Sequence, residues 1–279
     1  MIQTRDIADG TGYDKKEAWD VAVHFQDIKR HAAVLSYRKQ KELESKAIQG
    51  VMNRARKLVG PVRAAEKDRV LALNEIGPGT SVSEIDLEST LEADPVHFSD
   101  LRFLCRTPKR VPIAVLMDVS MSMKGDKLAH LALSASAMAL SIPGADLCFA
   151  GFDSKTTWVK RFDEKVSTEK IVAKILNLPA AGFTNMDAAF SDLKAELESA
   201  KRPRANVILI GDGKYTEGRN PLEAVQGFFR LHVLKIGKDI GGRQNLKDLA
   251  QKGSGQFIEA RQYADLPKCL YSLLRAAMR

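Results

Sequence analysis

The stretch "VPIAVLMDVSMSMKGDK", residues 111–127, decides how the chain is read. An apolar, β-rich run ends abruptly at Asp118 and is followed by Ser120 and Ser122 at alternate positions. A plain strand-to-helix turn would use such serines as caps. A binding site would instead bring three oxygen side chains to one point. In a loop, the i, i+2 spacing can turn both hydroxyls the same way, which a helix would not do.

Downstream the pattern is regular. β-rich runs fall at Ile113–Met117, Asp146–Phe152, Val207–Ile210, His232–Ile236 and Gln256–Ile258. Helical patterns lie between most of them, at Lys127–Ser141, Thr168–Leu176, Met186–Ala200, Pro221–Phe229, Gln244–Gln251 and Asp265–Met278. Alternating strands and helices require right-handed crossovers and a parallel sheet covered on both faces. "TTWVKRF" follows the second strand closely enough to add an antiparallel edge. The fold class is therefore α/β: a doubly wound, Rossmann-like, mostly parallel sheet.

Ligands of such sheets sit outside the carboxyl ends of the strands, and the polar residues of this chain fall there. "DVSMS" follows the first strand, "VILIGDGKYTEG" places Asp212 at the tip of the fourth, and "AAGFTNMDAAF" places Thr184 in a glycine-containing loop before a helix. Asp118, Ser120, Ser122, Thr184 and Asp212 are all hard oxygen donors. No histidine or cysteine accompanies them, so the set suits Mg²⁺, Mn²⁺ or Ca²⁺ rather than zinc or copper. With mostly neutral ligands the cation remains under-neutralised, so it should seek a carboxylate from outside the chain. That is binding chemistry rather than catalysis.

Upstream, residues 14–73 read as helical. Asp14 can cap a segment containing Trp19, Val23 and Phe25, and Ile48, Val51, Met52, Ala55 and Val59 keep helical spacing. Gly60-Pro61 should break the chain and start a further short helix. From Leu71 to Asp100 there is no lysine or arginine, but seven acids: Glu75, Glu84, Asp86, Glu88, Glu92, Asp94 and Asp100. This stretch, with the breaker "GPGTS", reads as a solvated acidic connector or a contact surface for basic groups. The expected organisation is a helical N-terminal extension over 1–75, an acidic connector over 76–110 and the sheet domain over 111–279.

Bulk properties fit a soluble protein of 279 residues with net charge +8. That charge supports at most a salt-dependent, nonspecific association with nucleic acid, because no basic run interleaves with aromatics. Cys105, Cys148 and Cys269 are odd in number and widely spaced, neither a disulfide framework nor a zinc pattern. Residues 128–145 are uncharged but interrupted by His130, several serines and Pro143, so they suit a buried helix and not a membrane span. With no apolar signal core in "MIQTRDIADG", the expected location is cytoplasmic.

"DVSMS", Thr184 in a Gly-x-Thr setting and "GDG" after an apolar strand resemble the metal-ion-dependent adhesion site (MIDAS) of von Willebrand factor A (VWA) domains. The resemblance covers about residues 110–279. It implies that Ser120, Ser122 and Thr184 supply hydroxyls, that Asp118 and Asp212 hold the ion directly or through water, and that a partner's Glu or Asp completes the shell. Met121 stands where the family usually has glycine, and Asn185 where aspartate is frequent. "SEIDLESTLEADP" before the motif strand resembles the intracellular CoxE-like relatives and the A-domain subunit of magnesium chelatase. Those families imply work with a MoxR-type AAA+ ATPase that remodels, activates or metallates a client protein. This chain has no Walker A motif, so an ATP-driven step would come from a partner.

Other readings make different demands. A haloacid-dehalogenase-like phosphatase would use Asp118 as nucleophile and Asp212 as a Mg²⁺ ligand. It also needs an acid two positions after the nucleophile, where this chain has Ser120, and a further acid after "GDG", for which only Glu217 is available. A serine hydrolase would need a G-x-S-x-G elbow, which is missing. An RNA-associated VWA protein is a further alternative. The expectation is a non-enzymatic module with no catalytic residues.

Overall fold

The computed structural model describes residues 17–30, 35–59, 66–76, 80–92, 97–108, 111–142, 144–179 and 182–278. Asp14, Gly60-Pro61 with the start of the short helix expected there, and Asp94 lie outside them. The chain divides into two compact units, Met1–Val62 with Pro112–Ala277, and Arg63–Val111 with the last two residues.

The larger unit opens with α1 (Ala18–Val23), α2 (Phe25–Arg30) and α3 (Tyr37–Leu58). Ser36 caps α3 by accepting the Lys39 N–H, and the α3 stripe Leu43, Ala47, Val51 and Ala55 is buried. This is the apolar face that helical periodicity predicts.

In the smaller unit, β1 (Glu66–Ala72), β2 (Ser81–Ile85) and β3 (Arg102–Pro108) form an antiparallel sheet in the order β1-β3-β2, with a short helix α4 (Leu87–Thr90). One expectation is corrected here. Residues 66–72 are a strand and not a continuing helix, because pairing with β3 overrides a local sequence rich in helix formers. The acidic stretch is also structured, and three of its acids have local roles. Glu75 accepts the Ala72 N–H, Asp86 caps α4 through the Ser89 N–H, and Asp100 accepts the His97 N–H.

The larger unit continues with β4 (Ile113–Asp118), α5 (Asp126–Ser141), β5 (Leu147–Phe152), β6 (Thr156–Lys160), α6 (Thr168–Leu176), α7 (Met186–Ser199), β7 (Asn206–Gly211), α8 (Pro221–Ala224), β8 (Arg230–Ile236), α9 (Arg243–Lys252), β9 (Ser254–Ala260) and α10 (Leu266–Ala277). The sheet order is β6-β5-β4-β7-β8-β9, all parallel except the antiparallel edge β6, as "TTWVKRF" suggested. The segment expected as one helix over Pro221–Phe229 stops at Ala224, because the chain must turn before Arg230 joins β8 opposite Asn206.

Every residue of β4, β5 and β7 is buried, as a sheet covered on both faces requires. On one face Leu116, Phe152, Leu209 and Val233 pack against Phe190 and Leu193 of α7 and Leu246 and Leu249 of α9. α5, α6 and α10 cover the other face. The N-terminal helices dock onto α5 and α6, where Gln26 Nε2 donates to the Leu176 and Leu178 carbonyls and Asn177 Nδ2 donates to Glu44 Oε1. The three cysteines are free, and burial pushes the Cys148 thiol up to about 12, so it is unreactive. Among the described residues, no helix is long and apolar enough to cross a membrane.

This strand order reverses direction between β4 and β7. Chain connections leave the sheet in opposite directions from these two neighbours, which opens a crevice at their carboxyl ends. Asp118 ends β4 and Asp212 follows β7 directly, so both line that crevice.

Candidate metal centre

Local structure delivers each side chain in a different way. Asp118 is carried by a rigid central strand and is fully buried. Beyond it the chain enters a single 3-10 turn, Met121–Met123, with Ser120 as its N-cap residue. That turn brings Ser120 Oγ within 3.1 Å of Ser122 Oγ, so the alternate serines do share one point. Met121 fits without strain: among the described residues only Lys201 and Ser254 are non-glycine residues at positive φ, so the turn does not require glycine. Its N–H donates to the Gly182 carbonyl, which ties this turn to the loop that carries Thr184.

The "GDG" segment owes both glycines to close approach. A Cβ on Gly211 would lie 2.7 Å from the Asp118 Cβ. Gly213 takes φ +86 and lies where a Cβ would meet the Gly242 carbonyl oxygen and Leu246. Between them Asp212 is fully buried, with the Lys127 Nζ 2.8 Å from its Oδ2 and the Lys214 N–H reaching its Oδ1 at 3.3 Å. Burial opposes its charge, but hydrogen bonds from Lys127 and Ser122 outweigh that and hold Asp212 below the usual carboxylate range.

Asp118 stands in a different environment. Its Oδ1 accepts the Ser120 N–H at 2.9 Å, while its buried Oδ2 has no hydrogen-bond partner among the described residues. Burial raises its carboxyl to about 7, and the neighbouring Asp212 charge adds to that rise. An orphaned carboxylate oxygen costs about 1–3 kcal/mol unless something satisfies it. Thr184, also buried, is placed by its backbone: its N–H donates to Thr216 Oγ1, and its carbonyl accepts the Thr216 and Glu217 N–H groups. Asn185 keeps the capping role an aspartate would have, accepting the Ala188 N–H, and its own N–H donates to the Asp153 carbonyl.

Asp118, Ser120, Ser122 and Asp212 are thus joined by direct contacts, and Thr184 sits on a loop bonded both to the serine turn and to the loop after β7. Ser122 is exposed and marks the open side. No cluster of three or more His, Cys, Asp or Glu side chains among the described residues is placed to hold a metal. A cation here would depend on hydroxyls, and the donor set with its orphaned oxygen fits a hard divalent ion. Sequence reading missed Lys127, Lys214 and Thr216. Lys127 and Asp212 are 85 positions apart, and no spacing rule links them. Around the opening Met121, Phe183 and Tyr215 expose apolar surface.

Comparison with known proteins bears on the family and the fold. A family model described as "VWA domain containing CoxE-like protein" matches residues 63–228, so the match begins with the smaller unit and takes in the acidic stretch. Among proteins of curated function, none matches the sequence. Proximal thread matrix protein 1 from the mussel byssus is 16% identical, with a TM-score of 0.51, over 61% of this chain and 48% of that one. A second structure of that protein, with a zinc-occupied MIDAS motif, gives a TM-score of 0.50 at 16% identity, over 61% and 48% of the two chains. A von Willebrand factor type A protein from Catenulispora acidiphila is 16% identical with a TM-score of 0.48, over 77% of this chain and 50% of that one. At these identities the likeness concerns the fold alone, and this chain spans about half the length of the mussel protein.

Proposed function

The chain belongs to the CoxE-like family of VWA-domain proteins, and on that premise we propose that it is a non-enzymatic, metal-dependent protein-binding module of the cytoplasm. Asp118, Ser120, Ser122, Thr184 and Asp212 would hold the ion. Mg²⁺ is the first choice for such hard oxygens, with Mn²⁺ or Ca²⁺ able to replace it. When bound, the ion supplies a Lewis-acidic position that a partner's Glu or Asp completes. The observation that carries the reading is the buried Asp118 Oδ2, left without a protein partner beside two converging serine hydroxyls.

The chain's own residues prepare that encounter. Ser120 orients the Asp118 carboxylate through its N–H, and the loop bonds around Thr184 hold its backbone in place. The apolar side chains Met121, Phe183 and Tyr215 offer a partner dry contact around the charged centre, as expected of an interaction surface. The phosphatase alternative gains nothing from the geometry: Ser120 cannot protonate a leaving group, and Glu217 is exposed, with its N–H bound to the Thr184 carbonyl.

The family points to a role as adaptor for a MoxR-type AAA+ ATPase, acting in the remodelling, activation or metal loading of a client. Affinity capture from native lysate, with Mg²⁺ or with a chelator, tests the reading. Recovery of an ATPase or client that chelator abolishes is expected. Capture that persists in chelator would refute a role for the ion in recognition.

A further inference from the structure

The two carboxylates of the centre are treated unequally. Asp212 is paired with Lys127 at 2.8 Å, while Asp118 faces the centre with one oxygen unpartnered. Lys127 is built into the fold rather than splayed on the surface. It lies in the first turn of α5, its side chain is only 25% exposed, and a Cβ on Gly237, after β8, would come within 3.4 Å of its Cε. Beside it a recess is lined by Asp126, Lys127, His130, Lys238 and Arg261.

We propose that Lys127 tunes this centre toward capturing a carboxylate at the cost of cation affinity. The inference rests on the metal-dependent reading above and concerns how the chain's charges divide its two binding steps. Once a divalent ion has displaced any proton from Asp118, Asp118 and Asp212 together carry −2 and Lys127 +1, so the loaded centre holds +1. Without Lys127 the loaded centre is neutral. At a few ångströms in a partly buried site, one unit charge changes such interactions severalfold or more. The lysine therefore repels the incoming cation but keeps the loaded centre positive and attractive to an acidic partner. Removing its charge should move the two affinities in opposite directions, which a purely structural lysine would not do.

The test uses Mn²⁺ alone as the metal probe and acetate as the carboxylate probe. Mn²⁺ affinity is read by electron paramagnetic resonance, and acetate binding by the fall in water-proton relaxation as it displaces a bound water. Lys127→Met removes the charge and keeps the apolar stem. Lys127→Gln also removes it but can still donate a hydrogen bond to Asp212, and provides a second route if the first variant fails to fold. Mn²⁺ should bind about tenfold tighter and acetate about tenfold weaker in the folded variant, with Lys127→Arg returning both toward wild type. Unchanged affinities, or both moving in one direction, would overturn the proposal. A wild-type protein that binds no Mn²⁺ would overturn the underlying metal reading as well, so the two failures are distinct.

Discussion

Gly211 is the residue beside which Asp118 fits: a Cβ at position 211 would sit 2.7 Å from the Asp118 Cβ, well inside van der Waals contact. The glycine of "GDG" is therefore part of the Asp118 environment, although the two residues lie on different strands of the sheet. Gly211→Ala should destabilise the protein by about 1–3 kcal/mol, the usual cost of overpacking. It should also weaken Mn²⁺ binding by displacing the carboxylate. Urea denaturation and Mn²⁺ titration of the same sample measure both, and wild-type values in each would show that β4 and β7 separate freely.

Thr184 separates position from chemistry. Its placement depends on backbone bonds to Thr216 and Glu217, so Thr184→Val should keep the loop and lose only the hydroxyl. A tenfold or greater loss of Mn²⁺ affinity, with an unchanged melting temperature without metal, is expected if the hydroxyl is a ligand. Equal affinity would remove Thr184 from the set.

His232 gives the fold a pH dependence unrelated to the centre. It is buried on β8, its Nδ1 accepts the Gln256 N–H at 3.2 Å, and its Nε2 has no hydrogen-bond partner among the described residues. Burial, with Arg230 nearby, lowers it to about 4 from an ordinary 6.5. The unfolded chain then binds the proton more readily, so this stability is complete above pH 6.5 and is lost as pH falls toward 4. The loss is up to about 3 kcal/mol, at about 1.4 kcal/mol per pKa unit. His232→Asn, which keeps an acceptor, should flatten the difference between denaturation at pH 7 and pH 4.5. An unchanged slope would assign the effect to other groups.

The parallel sheet and its order of helices were legible in the sequence because β4, β5 and β7 are buried on both faces and so read as continuous apolar runs. All five ligand candidates were read as one set because strand ends fix where they must meet, and four of them, Asp118, Ser120, Ser122 and Asp212, are joined by direct contacts. The smaller sheet was not. β1, "EKDRVLA", carries charges and helix formers, and only its pairing with β3, more than thirty residues onward, makes it a strand. Lys127 escaped for the same reason: a lysine at a helix start looks like surface until its long-range partner is known.

The most direct measurement is Mn²⁺ titration of the wild-type protein and Asp118→Asn by electron paramagnetic resonance, with circular dichroism on each. Asp118→Asn keeps the shape of the side chain and removes its charge from a buried position, so the fold should survive. The account predicts one saturable, chelator-reversible Mn²⁺ site in the wild type and its loss in the folded variant. No saturable binding in the wild type, or equal binding in Asp118→Asn, would contradict it.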